Sequence, residues 1–437
     1  MKHIKILTAC LVLLTGLAYT ASGATNAVIV GQDVQSVINA SAPGDTLIVQ
    51  PGVYPDASLV FNKPLTVLVA STNGAVMQFL GNIQVTGAGA SSFQQAYFGG
   101  SLQTTGAMVS FFDSIFNGPV TVAGGKLTMK RTILNYPLTL TNNATLEALR
   151  MTNTASVTAT ATVGAKIPFL AVQCLFSNGV DLTGYSAWLG YNTLYGNYSS
   201  TWFPNLPPGY GCVLIQTNCD SVLIGNIVNG YAAYDIYQSG GTLKAYNNLI
   251  STGYYGIDLN SAAAEIVNNT FLSAYDETGI QANGGGPVTL RANIIRTGMQ
   301  YSDSGHTFPA VQATGAASQA LFVSYCDILN GIEGINYALV GVTIPPVNCL
   351  LEVNPNVNTD GSLNAGSPCI NAGPPDAIYN NRDGTRNTIG YTGGPFFNPA
   401  NYTNNNPMVF FLLTGQQTVL SGLQTNISVS AAASAGH

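Results

Sequence analysis

A short sequence motif recurs four times between residues 225 and 296, and its period limits the folds this chain can adopt. Each copy places an asparagine before two residues that favour strands. The asparagines are Asn226, Asn248, Asn269 and Asn293, at steps of 22, 21 and 24 residues. No interval contains an apolar pattern long enough for a helix. This period predicts one coil of a parallel β-solenoid, in which each coil adds about 4.8 Å along the axis.

The motif extends beyond these four copies in both directions. Related segments are residues 113–117, 131–135, 150–153, 174–178, 192–195 and 327–330. Two intervals exceed one coil, and their excess falls in residues 199–211 and 299–309. We predict that both are loops on one face of the solenoid, because insertions there leave the stack intact.

The recurring asparagines are predicted to form a ladder. Its members would be Asn192, Asn226, Asn248, Asn269 and Asn293. At a tight turn an asparagine amide can bond backbone groups of its own and neighbouring coils, which would otherwise be buried without partners. The alternative is that asparagine is simply common in turns. Regular recurrence before a strand favours the ladder.

The N-terminus has the features of a secretory signal peptide. Lys2 and Lys5 precede an apolar run over residues 6–17, and small residues precede a predicted cleavage site after Ala24. A lipobox-like sequence ends at Cys10, but almost no apolar segment precedes it, so we expect no lipid. The sequence therefore predicts a protein that is secreted or held at the cell surface, without membrane insertion after cleavage.

Charge argues against two classes of partner. Charged residues make up 7% of the chain and its net charge is −6 at pH 7, whereas an ordinary globular domain has about 25% charged residues. Nucleic acids and anionic membranes both require a cationic face. We therefore expect neither as a partner, and a surface that is mainly neutral and polar.

Six cysteines follow the predicted signal peptide, and an exported protein can oxidise them. They are Cys174, Cys212, Cys219, Cys326, Cys349 and Cys369. Cys212 and Cys219 are close enough in sequence to close the base of an inserted loop. Cys174 and Cys326 coincide with ladder positions, where a free thiol acts as a small apolar residue. The sequence leaves the pairing open.

A helical cap is predicted before the first coils. Asp33 can cap a short helix that presents Val34, Val37 and Ile38 on one face. A turn at residues 43–45 leads into a strand at residues 46–49. Such a cap protects the strand edge that a solenoid would expose at its end.

Two longer motifs resemble a known family. Residues 37–54 read VINASAPGDTLIVQPGVY, which resembles the opening of bacterial secreted right-handed parallel β-helix proteins of the pectate-lyase-like superfamily. The motifs GSPCINAG at 366–373, NRDGTRN at 381–387 and GGP at 393–395 are similar to the end of such helices. The resemblance covers about residues 30–397 and implies the fold. It does not imply an activity, because the superfamily includes lyases, hydrolases and adhesins.

The predicted fold class is therefore all-β, a right-handed parallel β-helix with a short N-terminal capping helix. We assign residues 1–24 to the signal peptide, 25–397 to the β-helix with its caps, and 398–437 to a linker and a partial C-terminal β segment. Strands are expected there at residues 408–413 and 426–431. Two strands do not make a stable domain.

Few residues are available for histidine chemistry. His306 is the only histidine apart from His3 in the signal peptide and His437 at the end of the sequence. A catalytic triad or a histidine metal site is therefore not expected.

The strands that follow the ladder turns predict an outward column of polar residues. Its members would be Asp181, Asp235, Asp258, Gln281 and Gln312, with Thr121, Thr139 and Thr158 on earlier coils. Asp235 and Asp258 would lie about 4.8 Å apart on adjacent coils. Such a pair suits a calcium ion or an acid/base centre, and the alternative is two solvated carboxylates. The candidate sugar-stacking residues are Trp202, Tyr234, Tyr237 and Tyr255.

These patterns favour a non-catalytic module that binds a polysaccharide or cell-surface glycan, or that acts as an adhesive or structural rod. No cofactor is required, and the paired aspartates are a candidate calcium site. One alternative is a lyase or glycoside hydrolase acting on an acidic polysaccharide. A lyase needs a base, for which Lys244 and Arg291 are candidates outside the register of the column. Another alternative is a scaffold for further C-terminal modules. The sequence does not decide the oligomeric state.

Overall fold

The structure is a computed structural model, and it describes most of the chain after the predicted signal peptide. The described residues are 23–56, 58–70, 75–87, 89–162, 164–196, 211–230, 234–251, 255–272, 278–297, 309–330 and 338–397, with the backbone of 408–414 and 429–434. Residues 1–22 of the predicted signal peptide, Trp202 and His306 lie outside these residues.

The chain winds into a right-handed parallel β-helix, as the repeat predicted. Three long parallel sheets, here named A, B and C, contain 14, 14 and 13 strands. Each coil contributes one strand to A, one to B and one to C before the chain returns to A. Successive coils therefore pair strand on strand, and equivalent residues stack along the axis.

The strands of each sheet follow in chain order. Sheet A contains Thr25–Val28, Thr46–Val49, Thr66–Val69, Ala90–Gln94, Met108–Phe112, Lys126–Lys130, Thr145–Leu149, Ile167–Val172, Tyr185–Gly190, Asp220–Ile224, Thr242–Tyr246, Ala263–Val267, Val288–Arg291 and Leu321–Ser324. Sheet B contains Gly52–Tyr54, Met77–Phe79, Ala96–Phe98, Ile115–Phe116, Ile133–Leu134, Thr152–Asn153, Leu175–Phe176, Thr193–Tyr195, Ile227–Asn229, Leu249–Ser251, Thr270–Leu272, Ile294–Thr297, Asp327–Asn330 and Leu350–Leu351. Sheet C contains Ser58–Phe61, Asn82–Thr86, Leu102–Thr105, Val120–Ala123, Leu138–Thr141, Val157–Thr160, Val180–Thr183, Gly211–Gln216, Tyr234–Ser239, Tyr255–Asn260, Thr278–Asn283, Val311–Thr314 and Leu339–Val340.

The predicted capping helix is present as α1, Val34–Ala40. The carboxylate of Asp33 accepts a hydrogen bond from the backbone N–H of Ser36 at 3.3 Å, which satisfies one of the free donors of the first turn. Val34 and Ile38 are buried against the first coils. Two short 3-10 helices, Gly315–Gln319 and Ala377–Tyr379, occur later in the chain.

The core lies inside the coils and is built from stacked equivalent side chains. In sheet B the rings of Phe79, Phe98 and Phe116 follow one another at centroid separations of 6.0 and 4.5 Å. Strand alternation directs every second residue inward, and parallel pairing places that residue above its equivalent in the next coil. The inward columns are thus continuous.

Both long insertions predicted from the sequence occur at the same turn of the coil. Residues 197–210 connect the sheet B strand Thr193–Tyr195 to the sheet C strand Gly211–Gln216. Residues 298–308 lie between the equivalent strands four coils later. The strands that flank each insertion keep their pairing with neighbouring coils. The insertions therefore leave the stack intact, as expected.

After the last sheet B strand the chain turns back along the outside of the coils. We call residues 353–397 the C-terminal strap. Its Gly390 N–H donates to the carbonyl of Ala292 at 2.7 Å, and its Phe396 carbonyl accepts from the Tyr191 hydroxyl at 2.8 Å. The motifs that resemble the end of a β-helix belong to this strap, which packs against the side of the coils.

Farther on, Met408–Thr414 and Val429–Ser434 pair as an antiparallel hairpin. Both predicted strands are present, the second beginning three residues later than expected.

Candidate functional site

The asparagine ladder is present and buried. Each side-chain oxygen accepts from the backbone N–H of the preceding ladder residue, at 2.8 to 3.0 Å. Each Nδ2 donates to a strand carbonyl of an earlier coil, as Asn269 does to Ala245 at 2.9 Å. The five members are all fully buried, namely Asn192, Asn226, Asn248, Asn269 and Asn293. The prediction of a structural ladder is confirmed.

The backbone explains why a side chain is needed at this position. The residue before each ladder position is left-handed, with φ between 51° and 65° in twelve successive coils. The twelve left-handed residues are Gln95, Asp113, Arg131, Arg150, Gln173, Tyr191, Gly225, Asn247, Asn268, Ala292, Tyr325 and Asn348. Such a bend separates the strands of sheets A and B. The next N–H then needs an acceptor from the neighbouring coil.

Other residue types perform the same task elsewhere along the ladder. The Ser114 hydroxyl accepts from the N–H of Ala96 at 3.3 Å, and the Cys174 sulfur accepts from Met151 at 3.4 Å. Cys174 and Cys326 lie at ladder positions and are buried, as their sequence positions indicated. The ladder is therefore longer than its asparagines.

Cys212 and Cys219 lie in different parts of one coil. Cys212 belongs to the sheet C strand Gly211–Gln216, whereas Cys219 follows a turn and directly precedes the sheet A strand Asp220–Ile224. Both residues follow the insertion at residues 197–210, and both are buried free thiols. The disulfide between them, which the sequence left open, is not formed in this structure.

The outward column of sheet C follows the predicted register at most positions. Thr121, Thr139, Thr158 and Asp181 are opposite one another on successive coils. After two coils with Leu214 and Tyr237, the column continues with Asp258, Gln281 and Gln312.

The predicted alignment of Asp235 with Asp258 is wrong by two residues. Ile236 pairs with Ile257, which places Tyr237 opposite Asp258. The cause is Gln238, a fully buried polar residue whose Nε2 donates to the carbonyls of Cys219 and Gly240 at 2.7 and 2.8 Å. Because glutamine is rarely an inward residue, the alternation in the sequence pointed to Ile236 and Tyr234 as the inward pair.

Asp235 is itself buried, at 1% exposure. The Cys212 thiol donates to its carboxylate at 3.7 Å. Burial, followed by the charge of Asp235, raises the pKa of the Cys212 thiol well above its ordinary value. Asp235 therefore lies outside the polar column that the sequence assigned to it.

Asp258 is almost completely covered, at 6% exposure. Burial raises its pKa to about 6, while a hydrogen bond from the Asn283 amide at 3.1 Å opposes that rise. Its charge contributes, after burial, to the raised pKa values of Tyr234 and Tyr255. A carboxyl group in this environment can exchange its proton near neutral pH.

Aromatic and amide side chains surround Asp258 on the sheet C face. The rings of Tyr234 and Tyr255 stack with centroids 5.5 Å apart and planes at 19°, and Tyr237 lies 5.3 Å from Tyr234. Gln281 donates to Asn283 at 3.2 Å. We name this half-buried group the tyrosine–aspartate patch, consisting of Tyr234, Tyr237, Tyr255, Asp258, Gln281 and Asn283.

Two candidates of the column lie outside the patch centre. Gln312 follows Gln281 on the next coil and is half-buried. Asp181 is three coils before Asp258, so the two residues are about 14 Å apart along the axis. The Asp181 carboxylate accepts from Gln216 at 2.9 Å, and burial raises its pKa.

The calcium prediction depended on two adjacent carboxylates, and the register does not bring Asp235 and Asp258 to equivalent positions. Within the described ranges, no group of three or more His, Cys, Asp or Glu side chains converges as a metal-binding cluster. The nearest partners of Asp258 are amides and phenols.

The candidate bases lie on another sheet. Lys244 and Arg291 belong to sheet A strands, whereas the patch is on sheet C. The Arg291 guanidinium donates to the Tyr379 hydroxyl of the strap and lies 4.7 Å from that ring. Arg291 therefore holds the strap against the coils.

A buried acid that sequence reasoning missed lies beneath the strap. Asp327 occupies an outward sheet B position and is fully buried. The Cys369 thiol of the strap donates to its carboxylate at 3.2 Å, and burial raises the pKa of Asp327 to about 7. The sequence feature that could have revealed Asp327 is its position as a single carboxylate among mainly apolar equivalents. The other residues of this column include Ile227, Leu249, Thr270, Ile294 and Leu350.

Comparisons with known proteins add little about activity. Neither a protein-family model nor a curated protein matches the chain. Among solved structures, the chain is similar to the crystal structure of pectate lyase Pel9A at 15% identity and a TM-score of 0.34. That similarity covers 85% of this chain and 97% of the other. It is too low to support a shared function. In the part of the chain that is described, no helix has the length and apolar character to cross a membrane.

Proposed function

We propose that this chain is an exported, non-catalytic β-helix that binds a polysaccharide or cell-surface glycan on its tyrosine–aspartate patch. The stacked rings of Tyr234 and Tyr255 beside the Asp258 carboxylate carry the proposal. Aromatic rings offer broad apolar faces with a polar edge. Sugar rings present apolar C–H faces and rows of hydroxyl groups, which match this combination.

The amides around Asp258 support selectivity for hydroxyl groups. Gln281 and Asn283 each carry both donors and acceptors, and Asp258 accepts when ionised. Asn260 donates to the Tyr237 hydroxyl at 3.1 Å, which extends the polar edge of the patch. Convergent polar groups beside an apolar surface are typical of ligand sites.

A lyase or hydrolase is the second candidate, and one observation favours it. The raised pKa of Asp258, about 6, is the property of a general acid in glycoside hydrolysis. A hydrolase also needs a second carboxylate that reaches the substrate, within about 5–9.5 Å of the first. Asp181 is about 14 Å away, and Asp235 on the adjacent coil is 1% exposed and accepts from the Cys212 thiol. For this reason binding without cleavage is the preferred proposal.

The test is a binding screen against neutral and acidic polysaccharides with matched variants. Tyr255→Ala should weaken binding at least about fivefold, since an aromatic contact contributes about 1–3 kcal/mol when buried. Tyr136→Ala removes a tyrosine that is 48% exposed outside the patch and should change nothing.

Two results would overturn the proposal. Binding that is equal in wild type and Tyr255→Ala would exclude the patch. Release of unsaturated sugars or new reducing ends, abolished by Asp258→Asn, would establish the enzyme instead. A calcium titration in the same assays tests the remaining hypothesis of a cation at Asp258.

A further inference from the structure

Two cysteines occupy adjacent ladder positions at the C-terminal end of the β-helix. Asp327 pairs with Leu350 and Ile328 with Leu351, so Cys326 lies opposite Cys349 on the next coil. The Cys349 sulfur accepts from the backbone N–H of Cys326 at 3.4 Å. It thereby takes the place that an asparagine oxygen occupies in the earlier coils.

The spacing of these two cysteines suits a disulfide. Paired parallel strands place equivalent Cα atoms about 4.8 Å apart, which lies within the 4.4–6.8 Å range of disulfides. Backbone bonds fix both flanks, from Tyr325 to Val347 at 2.9 Å and from Leu350 to Cys326 at 2.8 Å. In contrast, the ladder neighbours of Cys174 are Met151 and Asn192.

The surroundings also suit thiol exchange. Cys349 is only half-buried, whereas Cys326 is fully buried. The neighbouring Cys326 thiol lowers the pKa of Cys349, and burial raises the pKa of Cys326. An accessible thiol with a lowered pKa is the one that an oxidant reaches first.

We propose that Cys326 and Cys349 form a reversible disulfide that fastens the last coil, and the strap that follows it, to the body of the β-helix. Both are free thiols in this structure. The oxidant is a small disulfide such as glutathione disulfide. The Cys349 thiolate attacks it and releases one glutathione. The Cys326 thiolate then attacks the Cys349 sulfur and releases the second glutathione, so two protein thiols become one disulfide.

The bond would act at the point where the strap begins. Leu350–Leu351 is the last strand of sheet B, and residues 353–397 follow it directly. Oxidation would therefore close a loop between neighbouring coils and oppose fraying of the C-terminal end. Reduction would release that constraint without breaking the ladder contacts.

The experiment uses the full chain, first reduced and then equilibrated with glutathione disulfide. Remaining thiols are alkylated under denaturing conditions, and the peptides are mapped by mass spectrometry. We expect two fewer alkylated cysteines, a peptide joining Cys326 to Cys349, and a higher melting temperature than in the reduced protein. Cys349→Ser should abolish all three effects, whereas Cys174→Ser should preserve them.

Serine at position 349 retains an oxygen acceptor, as Ser114 does in an earlier coil, so this variant should fold. If it does not, Cys326→Ser provides the same test from the other side. Free Cys326 and Cys349 after oxidation, a stable glutathione adduct on Cys349, or a bond from Cys349 to Cys369 would each overturn the proposal.

Discussion

Removal of one ladder asparagine is the sharpest test of how these coils are held together. The Asn269 oxygen accepts from the backbone N–H and the side chain of Asn248 at 2.9 and 2.8 Å. Its Nδ2 donates to Ala245 at 2.9 Å. Asn269→Ala would leave the buried N–H of Asn248 and the carbonyl of Ala245 without these partners.

Each such orphaned group costs about 1–3 kcal/mol, so two predict a loss of about 2–6 kcal/mol in the free energy of unfolding. Asn269→Ser should lose less, because a hydroxyl accepts the equivalent N–H at Ser114. The matched control is Asn260→Ala, which removes an exposed asparagine of a neighbouring coil. Exposed substitutions usually change stability by less than about 0.5 kcal/mol.

Urea unfolding followed by circular dichroism measures these differences, under reducing conditions so that disulfides do not interfere. Hydrogen exchange provides a local readout that does not depend on two-state unfolding. Protection of the Asn248 amide should fall in Asn269→Ala and remain in Asn260→Ala. If the two alanine variants have the same stability and the same Asn248 protection, the ladder does not stabilise the fold.

Three further predictions concern titration and export. Burial raises the pKa of Asp327 to about 7, so the folded chain retains a proton that the unfolded chain releases. Stability should fall as pH rises from about 4 to 7, and urea titrations of Asp327→Asn should show a smaller fall. If the Asp258 carboxylate accepts sugar hydroxyls, glycan affinity should fall below pH about 6, and Asp258→Asn should have low affinity at every pH in the same binding assay. After expression in a secreting host, mass spectrometry should find a mature chain that begins at Thr25, and a lipid on Cys10 would refute this.

The coil repeat could be predicted because it depends on local chemistry. A left-handed residue, a buried acceptor and two strand residues recur within four positions, so the pattern is visible wherever the acceptor is asparagine. The helix α1 was predictable for the same reason, since Asp33 and the apolar face of residues 34–38 are close in sequence. Local signals of this kind require no knowledge of distant contacts.

The register of the patch and the position of the strap were not accessible in this way. Strand alternation assigns inward positions only if the core is apolar, and Gln238 breaks that rule by donating to the Cys219 and Gly240 carbonyls in the turns of two adjacent coils. The strap depends on contacts between distant residues, such as the Asn387 amide with Asn268 at 2.9 Å. No periodicity connects those positions, so the burial of Asp327 beneath the strap could not be derived either.

The ladder and the tyrosine–aspartate patch belong to the same coils. Asn226, Asn248 and Asn269 begin the sheet B strands of the coils that carry Tyr237, Asp258 and Gln281 on sheet C. A side-chain ladder that fixes the spacing of these coils also fixes the spacing of the groups that would meet a glycan. Preorganisation of this kind raises the affinity for a ligand without adding a contact to that ligand. Asn269→Ala should therefore weaken glycan binding in proportion to the loss of hydrogen-exchange protection at the Asn248 amide. This effect is expected although Asn269 is fully buried inside the β-helix and cannot contact the glycan. Unchanged affinity in a destabilised Asn269→Ala variant would show that the ladder supports the fold alone.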